Sequence, residues 1–228
     1  MKVVAFLPCR KGSERVPRKN IRPFAGFQHG LIELKLKQLL AAEEIAEVVL
    51  SSNDDEILDF AGTIRDDRLR LHKRADALSS STTSTDALVG HAVELIPDGH
   101  ILWTHVTSPF VNASSYDAIV QSYKKALVEG YDSLMTTSAI HGFLWNAHAP
   151  LNYDRSVEKW PRTQTLEVVH EVNSAVFLNS AENYRKMDDR IGAQPYLYTL
   201  DKIVGFDIDW EDDFAMAQCV VSAGLARL

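Results

Sequence analysis

The spacing of apolar residues in this chain changes repeatedly between a period of two and a period of about 3.6. Short strand-like runs start at Met1, Glu47, Arg68 and His100, and the stretches between them carry apolar residues on one helical face. Such alternation is typical of strand–helix units built around a largely parallel sheet. A chain of 228 residues can bury a substantial core in one such domain. We therefore predict a single α/β domain over residues 1–228.

The periodicity weakens over residues 140–172, where Trp145 and Trp160 occur without clear helical spacing. We predict that this segment is an excursion from the sheet. Strand patterns return near Ser174 and Tyr196, and a last helix is predicted from Glu211 onward.

Composition limits the partners of the protein. The net charge is −7, which disfavours general binding to nucleic acid or to an anionic membrane. The sequence contains no apolar run of the roughly 18 residues that a membrane span needs, and its first strand is too short for a signal segment. Cys9 and Cys219 suggest neither a disulfide framework nor a zinc site. We expect a cytoplasmic protein with reduced thiols and no nucleic-acid or membrane partner.

A basic stretch follows the first strand. Between Leu7 and Arg22 the chain carries six Lys or Arg residues and one acid. Gly12 and Ser13 allow a tight turn that presents backbone N–H groups, at the strand end where open α/β sheets bind ligands. The stretch is therefore either an anion site or a solvated charged loop. Neither a Walker P-loop nor a G-x-G-x-x-G motif is present.

An acidic stretch lies near the other end of the chain, with five acids in the seven residues from Asp207 to Asp213. On a strand, Asp207 and Asp209 would face the same side and could share a hard cation such as Mg²⁺. Glu211, Asp212 and Asp213 would instead favour the start of a helix. Helix capping is an equally good explanation for Asp207 and Asp209 when they are taken alone.

Four segments, in order along the chain, resemble those of the acylneuraminate cytidylyltransferases, the CMP-sialic acid synthetase family. They are LPCRKGSERVPRKN with the IRPFAG that follows (7–26), THVTSPF (104–110), VNSAVF (172–177) and FDID (206–209). The resemblance implies a Rossmann-like three-layer sheet with a small dimerisation excursion. It also implies a nucleotidyltransferase that couples CTP to a 2-keto sugar acid, releases pyrophosphate with Mg²⁺ as cofactor, and forms a homodimer.

The resemblance also implies roles for individual residues on the nucleotide side. Arg10 and Lys19 are expected to bind the phosphates and act in catalysis, and Asp207 and Asp209 are expected to hold Mg²⁺. The remaining nucleotide contacts are expected from Gly12, Ser13, Asn20, Arg74, Thr82 and Thr85.

The sugar side departs from the family pattern. His105 stands where Gln is usual, and Glu171 stands where an Arg is common, whereas Arg162 matches an Arg that faces the sugar. A lone His on a strand is more often a core residue, but its place beside Thr107 and Ser108 favours a site residue. The expected acceptor contacts are His105, Thr107, Ser108, Arg162, Glu171 and Asn173.

Alternative functions follow from these departures. The acceptor could be Kdo or another hydroxylated acid, because basic residues are lost on the sugar side. The chain could also be a nucleotide-binding module without turnover, although intact Lys19, Asp207 and Asp209 disfavour that reading.

Overall fold

The computed structural model describes residues 1–79 and 83–228. The strands of this part of the chain are β1 Val3–Cys9, β2 Glu47–Ser52, β3 Leu69–Lys73, β4 His100–Thr104, β5 Ser133–Ile140, β6 Val169–Ser180 and β7 Pro195–Thr199. The α-helices are α1 Gly30–Ala41, α2 Asp55–Ala61, α3 Thr85–Leu95, α4 Ala113–Val128, α5 Ala181–Met187 and α6 Glu211–Ser222. Single 3₁₀ turns occur at Asp76–Leu78 and Thr163–Thr165.

The strands form one sheet in the order β3-β2-β1-β4-β6-β5-β7. All neighbouring strands run parallel except β6, which is antiparallel to both β4 and β5. The chain builds outward from β1 to β3 and then returns to place β4 on the other side of β1. The carboxyl ends of β1 and β4 therefore meet where the strand order reverses, the usual ligand position in open α/β sheets.

Helices cover both faces of the sheet. Alternate residues of β1 face opposite layers: Val3, Ala5 and Leu7 pack with α1, α2, α4 and α6, whereas Val4 and Phe6 pack with α3 and α5. This alternation follows from the period of two in a strand. The predicted three-layer α/β fold is confirmed.

Hydrogen bonding between strands defines three boundaries that the apolar pattern left open. β1 extends through Cys9, and β4 ends at Thr104, so His105 and Val106 belong to the loop that follows. The connection between β5 and β6 spans residues 141–168, because Ile140 pairs with Val169 at the end of the β5–β6 ladder. Hydrogen bonding between strands sets these ends, and the apolar pattern alone does not contain that information.

The stretch around Asp207 and Asp209 is not a sheet strand, contrary to the sequence prediction. It is an extended segment that the Ile208 N–H anchors by donating to the Thr107 carbonyl at 2.9 Å. The alternation that was predicted for a strand still holds locally, since Ile208 is buried between two less buried aspartates.

Within the two described ranges, none of the helices combines the length and the apolar content that a bilayer crossing requires.

Candidate active site

The basic loop occupies the point where the strand order reverses. It leaves β1 after Cys9 and faces the end of β4 across a cavity of about 320 Å³, whose lining includes Arg10, Ser13, Lys19 and His105. A second cavity of about 300 Å³ lies on the other side of the loop and is also lined by Arg10 and Lys19. Both predicted phosphate ligands therefore line both cavities.

Side-chain amides hold the loop in shape. The Asn20 side chain donates to the Arg10 carbonyl at 3.0 Å, and the Asn53 side chain accepts from the Lys11 N–H at 2.9 Å. Gly12 has φ +79°, in the left-handed region that glycine adopts without strain. These contacts and the Gly12 turn define the conformation of the loop.

Asn53 has a different role from the one its sequence context suggests. With Glu56 it resembles a capping box, but the residue that caps α2 is Asp54, whose side chain accepts from the Glu56 N–H. Asn53 therefore does not cap α2, and its side chain supports the basic loop instead. No local pattern indicated this role, because Asn53 and Lys11 lie 42 residues apart.

Lys19 links the basic loop to the acidic segment. Its ammonium is buried, donates to the Ile208 carbonyl at 2.6 Å, and lies 4.0 Å from an Asp209 oxygen. Burial lowers the pKa of Lys19, and the nearby charges of Asp209 and Asp207 oppose that shift. The structure thus brings Lys19 and both predicted metal ligands together.

Asp207 has a buried carboxylate oxygen that a cation could meet. Its Oδ1 is buried and has no hydrogen-bond partner in the part of the chain that the structure describes. Burial raises the pKa of Asp207; a hydrogen bond from Thr107 opposes the shift, and the charge of Asp209 adds to it. An orphaned carboxylate oxygen of this kind is costly unless a cation or donor meets it.

Asp209 has a different environment. Arg15 donates to its Oδ1 at 2.6 Å and stacks over the Trp210 ring at 5.1 Å. The backbone N–H groups of Asp209 and Trp210 both donate to Asp213, so Asp213 caps the start of α6. Capping therefore explains Asp213 but neither Asp207 nor Asp209.

The residues present fit a Mg²⁺ ion shared with a ligand. Residues 1–79 and 83–228 contain no group of three or more His, Cys, Asp or Glu residues that could enclose a metal. Mg²⁺ commonly binds through one or two carboxylates and completes its shell with phosphate oxygens and water. Asp207 and Asp209 supply that smaller set.

The other predicted nucleotide ligands differ in position. Arg74 is buried; its Nε donates to Ser79 at 3.0 Å, and its Nη1 has no partner among the described residues. Burial lowers the pKa of Arg74, and the charge of Arg10 acts in the same direction. Thr85 is the exposed first residue of α3, and Thr82 lies outside the described residues.

His105 is fixed in one tautomer. The Trp103 indole donates to His105 Nε2 at 3.0 Å, and because indole N–H is only a donor, the ring proton must lie on Nδ1. Burial lowers the pKa of His105 to about 3, and the positive charge of Arg190 contributes. His105 is therefore a neutral hydrogen-bonding group in the cavity wall.

A larger cavity of about 950 Å³ lies beyond the two aspartates. Its lining includes Asp207, Asp209, Glu171, Asn173 and Lys202. It can hold a second, polar ligand next to the cation site. Glu171 and Asn173, two of the expected acceptor contacts, therefore line one cavity with both aspartates.

Four of the six expected acceptor contacts do not line that cavity, and two of these four, Arg162 and Ser108, line neither it nor the cavity of about 320 Å³. Arg162 is exposed and precedes the 3₁₀ turn at Thr163–Thr165, away from the cavity lining. Ser108 is buried, with its hydroxyl unpartnered among the described residues, while its carbonyl accepts from Lys35. Thr107 lines the smaller cavity of about 320 Å³ together with His105.

Lys35 is a buried residue that the sequence reasoning missed. Its ammonium donates to the carbonyls of Ser108 and Val111, at 2.8 and 3.1 Å, and to the Tyr116 hydroxyl at 2.9 Å. It thereby supports the loop after β4, which in turn anchors Ile208. Its only signal was a lysine within the apolar run from Leu34 to Leu36.

A mostly parallel sheet between two helix layers, with a basic loop at its strand reversal facing two carboxylates, is an arrangement typical of nucleotide-binding α/β proteins. The family model for cytidylyltransferases matches residues 4–200, and the chain belongs to that family.

Individual relatives agree with this assignment. The chain is 34% identical over 130 residues to a pseudaminic acid cytidylyltransferase of Campylobacter jejuni, covering 55% of this chain and 53% of that protein. It is 22% identical over 223 residues to an N-acylneuraminate cytidylyltransferase of Escherichia coli, covering 95% of this chain and 51% of that protein. The chain thus spans about half the length of the curated relatives it matches.

A solved structure shares the fold. A CMP:2-keto-3-deoxy-manno-octonic acid synthetase complexed with CTP superposes with a TM-score of 0.67 and 15% identity, covering 98% of this chain and 100% of the other.

Proposed function

We propose that the protein transfers the cytidylyl group of CTP to the anomeric hydroxyl of a 2-keto sugar acid and releases pyrophosphate. The observation that carries this proposal is Lys19, which joins the loop cavities to the acceptor-sized cavity through its contacts with Ile208 and Asp209. A phosphate held by the loop would lie beside an acceptor held on the far side of the same aspartates.

The nucleotide side supplies charge and positioning. Arg10 and Lys19 neutralise the triphosphate, and the backbone around Gly12 and Ser13 donates to its oxygens. Transfer from a nucleoside triphosphate needs little covalent chemistry from the protein and depends on alignment and charge stabilisation. When bound at Asp207 and Asp209, Mg²⁺ would neutralise developing charge and lower the pKa of a coordinated hydroxyl.

The acceptor side favours a sugar acid with hydroxyl or amide substituents. Glu171 lines the cavity, where it would repel a nearby carboxylate and accept hydrogen bonds instead. Lys202 lines the same cavity, and its ammonium is our candidate for binding the carboxylate of the acceptor. We infer a nonulosonate that differs from N-acetylneuraminic acid in its substituents, and the pseudaminic acid relative supports an acceptor of that kind.

The segment between β5 and β6 suggests a homodimer. Phe143 packs edge-on against Tyr153 and Trp160, at 5.2 and 5.3 Å between ring centroids, while Trp145 and Trp160 remain 43% and 65% exposed. Exposed aromatic groups of this size are typical of interfaces. A dimer would also offer a route for Arg162 to reach the acceptor cavity of a neighbouring subunit.

Pyrophosphate release tests the reaction. The protein is incubated with CTP, Mg²⁺ and, separately, pseudaminic acid, N-acetylneuraminic acid and Kdo. We expect pyrophosphate with a nonulosonate other than N-acetylneuraminic acid, and a kcat/KM about ten- to a hundredfold lower for N-acetylneuraminic acid, the size expected for one lost hydrogen bond to a charged group. Preference for Kdo would favour the alternative acceptor class.

Two further measurements separate the remaining alternatives. A thermal shift with CTP and Mg²⁺ but no pyrophosphate with any acid would indicate a binding module, since ligand at 100 times its dissociation constant adds about 2.7 kcal/mol to stability. An unchanged acid preference in Glu171→Arg would show that Glu171 does not face the acceptor.

A further inference from the structure

Ser174 has a backbone conformation that side chains rarely adopt. Its φ is +58°, in the left-handed region that favours glycine. It lies where β6 departs from regular pairing: Met135 of β5 pairs with Phe177 and Thr137 pairs with Val172, so two steps on β5 correspond to five on β6. A glycine would adopt this backbone conformation without strain. The backbone geometry therefore does not explain why the residue is a serine.

The neighbours of Ser174 fix this conformation. The side-chain oxygen of Asn173 accepts from the Thr136 hydroxyl at 2.7 Å and from the Ala175 N–H at 3.3 Å. The side-chain nitrogen of Asn173 donates to the Ser138 hydroxyl at 3.2 Å. The surrounding network therefore holds the backbone in place and makes the strain at Ser174 persistent.

The Ser174 side chain has no role within that network. Its hydroxyl makes no hydrogen bond to the described residues, whereas the hydroxyls of Thr136 and Ser138 both bond to Asn173. Ser174 is half-buried and lines the cavity of about 950 Å³ together with Asp207 and Glu171. A strained residue with an unused polar group in a cavity wall indicates ligand contact.

We propose that Ser174 is a specificity-determining residue whose hydroxyl bonds a hydroxyl or amide substituent of the acceptor. The inference rests on the proposed function. The acceptor's own carboxylate is not the expected partner, because Lys202 in the same lining is the candidate for that group. A serine hydroxyl can both donate and accept, which suits either substituent.

Two variants separate the hydroxyl from the strain. Ser174→Gly removes both, and Ser174→Ala removes the hydroxyl but keeps a side chain at positive φ. We expect a higher melting temperature for Ser174→Gly only. In both variants kcat/KM for the preferred acid should fall about three- to tenfold, the range for a neutral hydrogen bond, with KM for CTP unchanged.

A second substrate gives the control. An acceptor analogue that lacks the contacted substituent should be used equally well by wild type and Ser174→Gly. If Ser174→Gly is more stable and keeps the kcat/KM of the wild type for every acceptor, the inference is overturned. The proposed function then remains intact. If the wild-type protein releases no pyrophosphate with any 2-keto acid, the proposed function fails, and this inference fails with it.

Discussion

The Arg15 guanidinium donates to Asp209 Oδ1 at 2.6 Å, although the two residues lie 194 positions apart in the chain. The pair joins the basic loop directly to a proposed Mg²⁺ ligand. A cation at Asp209 must therefore compete with Arg15 for the same carboxylate.

Arg15→Gln should lower the Mg²⁺ concentration needed for half-maximal turnover by up to about fivefold. An exposed ion pair contributes about 0 to 1 kcal/mol. Competition from Arg15 can therefore weaken the binding free energy of Mg²⁺ by about 1 kcal/mol at most, which corresponds to about fivefold in affinity. The measurement is a Mg²⁺ titration of pyrophosphate release. Arg18→Gln is the matched control, because Arg18 is in the same loop and pairs with Glu56 at 2.7 Å, away from the aspartates. An equal change in both variants would refute direct competition.

Asp207→Asn and Asp209→Asn should each abolish turnover of CTP while leaving the fold intact. Each substitution removes a carboxylate from a proposed two-carboxylate cation site. Pyrophosphate release reports activity, and circular dichroism reports the fold. Asp212→Asn, in the first turn of α6, serves as the control. Mg²⁺-dependent turnover in a double Asp207→Asn, Asp209→Asn variant would contradict the assignment.

Asp207→Asn should also be more stable than wild type at neutral pH. Because burial raises the pKa of Asp207, folding disfavours its charged form. The difference should shrink as pH falls through the raised pKa and vanish below the unfolded value, where both states of the wild type are protonated. Urea unfolding at several pH values measures it. A wild type that is more stable at neutral pH would show that the Asp207 charge is already compensated.

Lys19→Ala and Arg10→Ala should each lower kcat/KM for CTP at least about tenfold, equivalent to about 1.4 kcal/mol of transition-state stabilisation. Lys11→Ala should lower it less, since the bond between Lys11 and Asn53 is made by the Lys11 backbone N–H, which the substitution keeps. Steady-state kinetics under saturating acceptor compares the three. Similar losses in all three variants would mean that the loop acts as a diffuse positive surface.

Asn53→Ala should raise KM for CTP without removing any charge. It leaves the Lys11 N–H without its partner at 2.9 Å, and one such hydrogen bond contributes about 0.5 to 1.5 kcal/mol. Asp76→Ala is the control, because Asn53 also donates to Asp76, at 3.2 Å. An effect of Asp76→Ala as large as that of Asn53→Ala would place the cause in the Asp76 contact.

The sequence was sufficient for most of the fold and for the chemical character of the site. Strand and helix types follow from apolar spacing, and the basic and acidic stretches are visible as charge. Burial, by contrast, depends on contacts between distant segments. The three groups that accept hydrogen bonds from Lys35 lie in the loop after β4 and in α4, at least 73 positions away in the chain. No local spacing could therefore separate this lysine from a solvated one.

The same limit explains two differences between the sequence prediction and the structure around the site. Arg162 matched a family position, yet in a single chain it is exposed outside the cavity. The strand predicted for Asp207 and Asp209 is an extended segment because its hydrogen bond goes to Thr107 in a loop and not to a neighbouring strand. The position of Arg162 and the extended segment at Asp207 and Asp209 both depend on contacts with segments that are distant in the sequence.

The bond from Lys19 to the Ile208 carbonyl spans 189 positions, and this separation bears on how the protein acquires its site. Contacts between distant segments form slowly because a long chain must first close on itself. During synthesis, β1 to β4 can be made well before residues 206–209 emerge. Until then the basic loop lacks its acidic counterpart, so the strands that are made before residues 206–209 cannot form the complete site on their own.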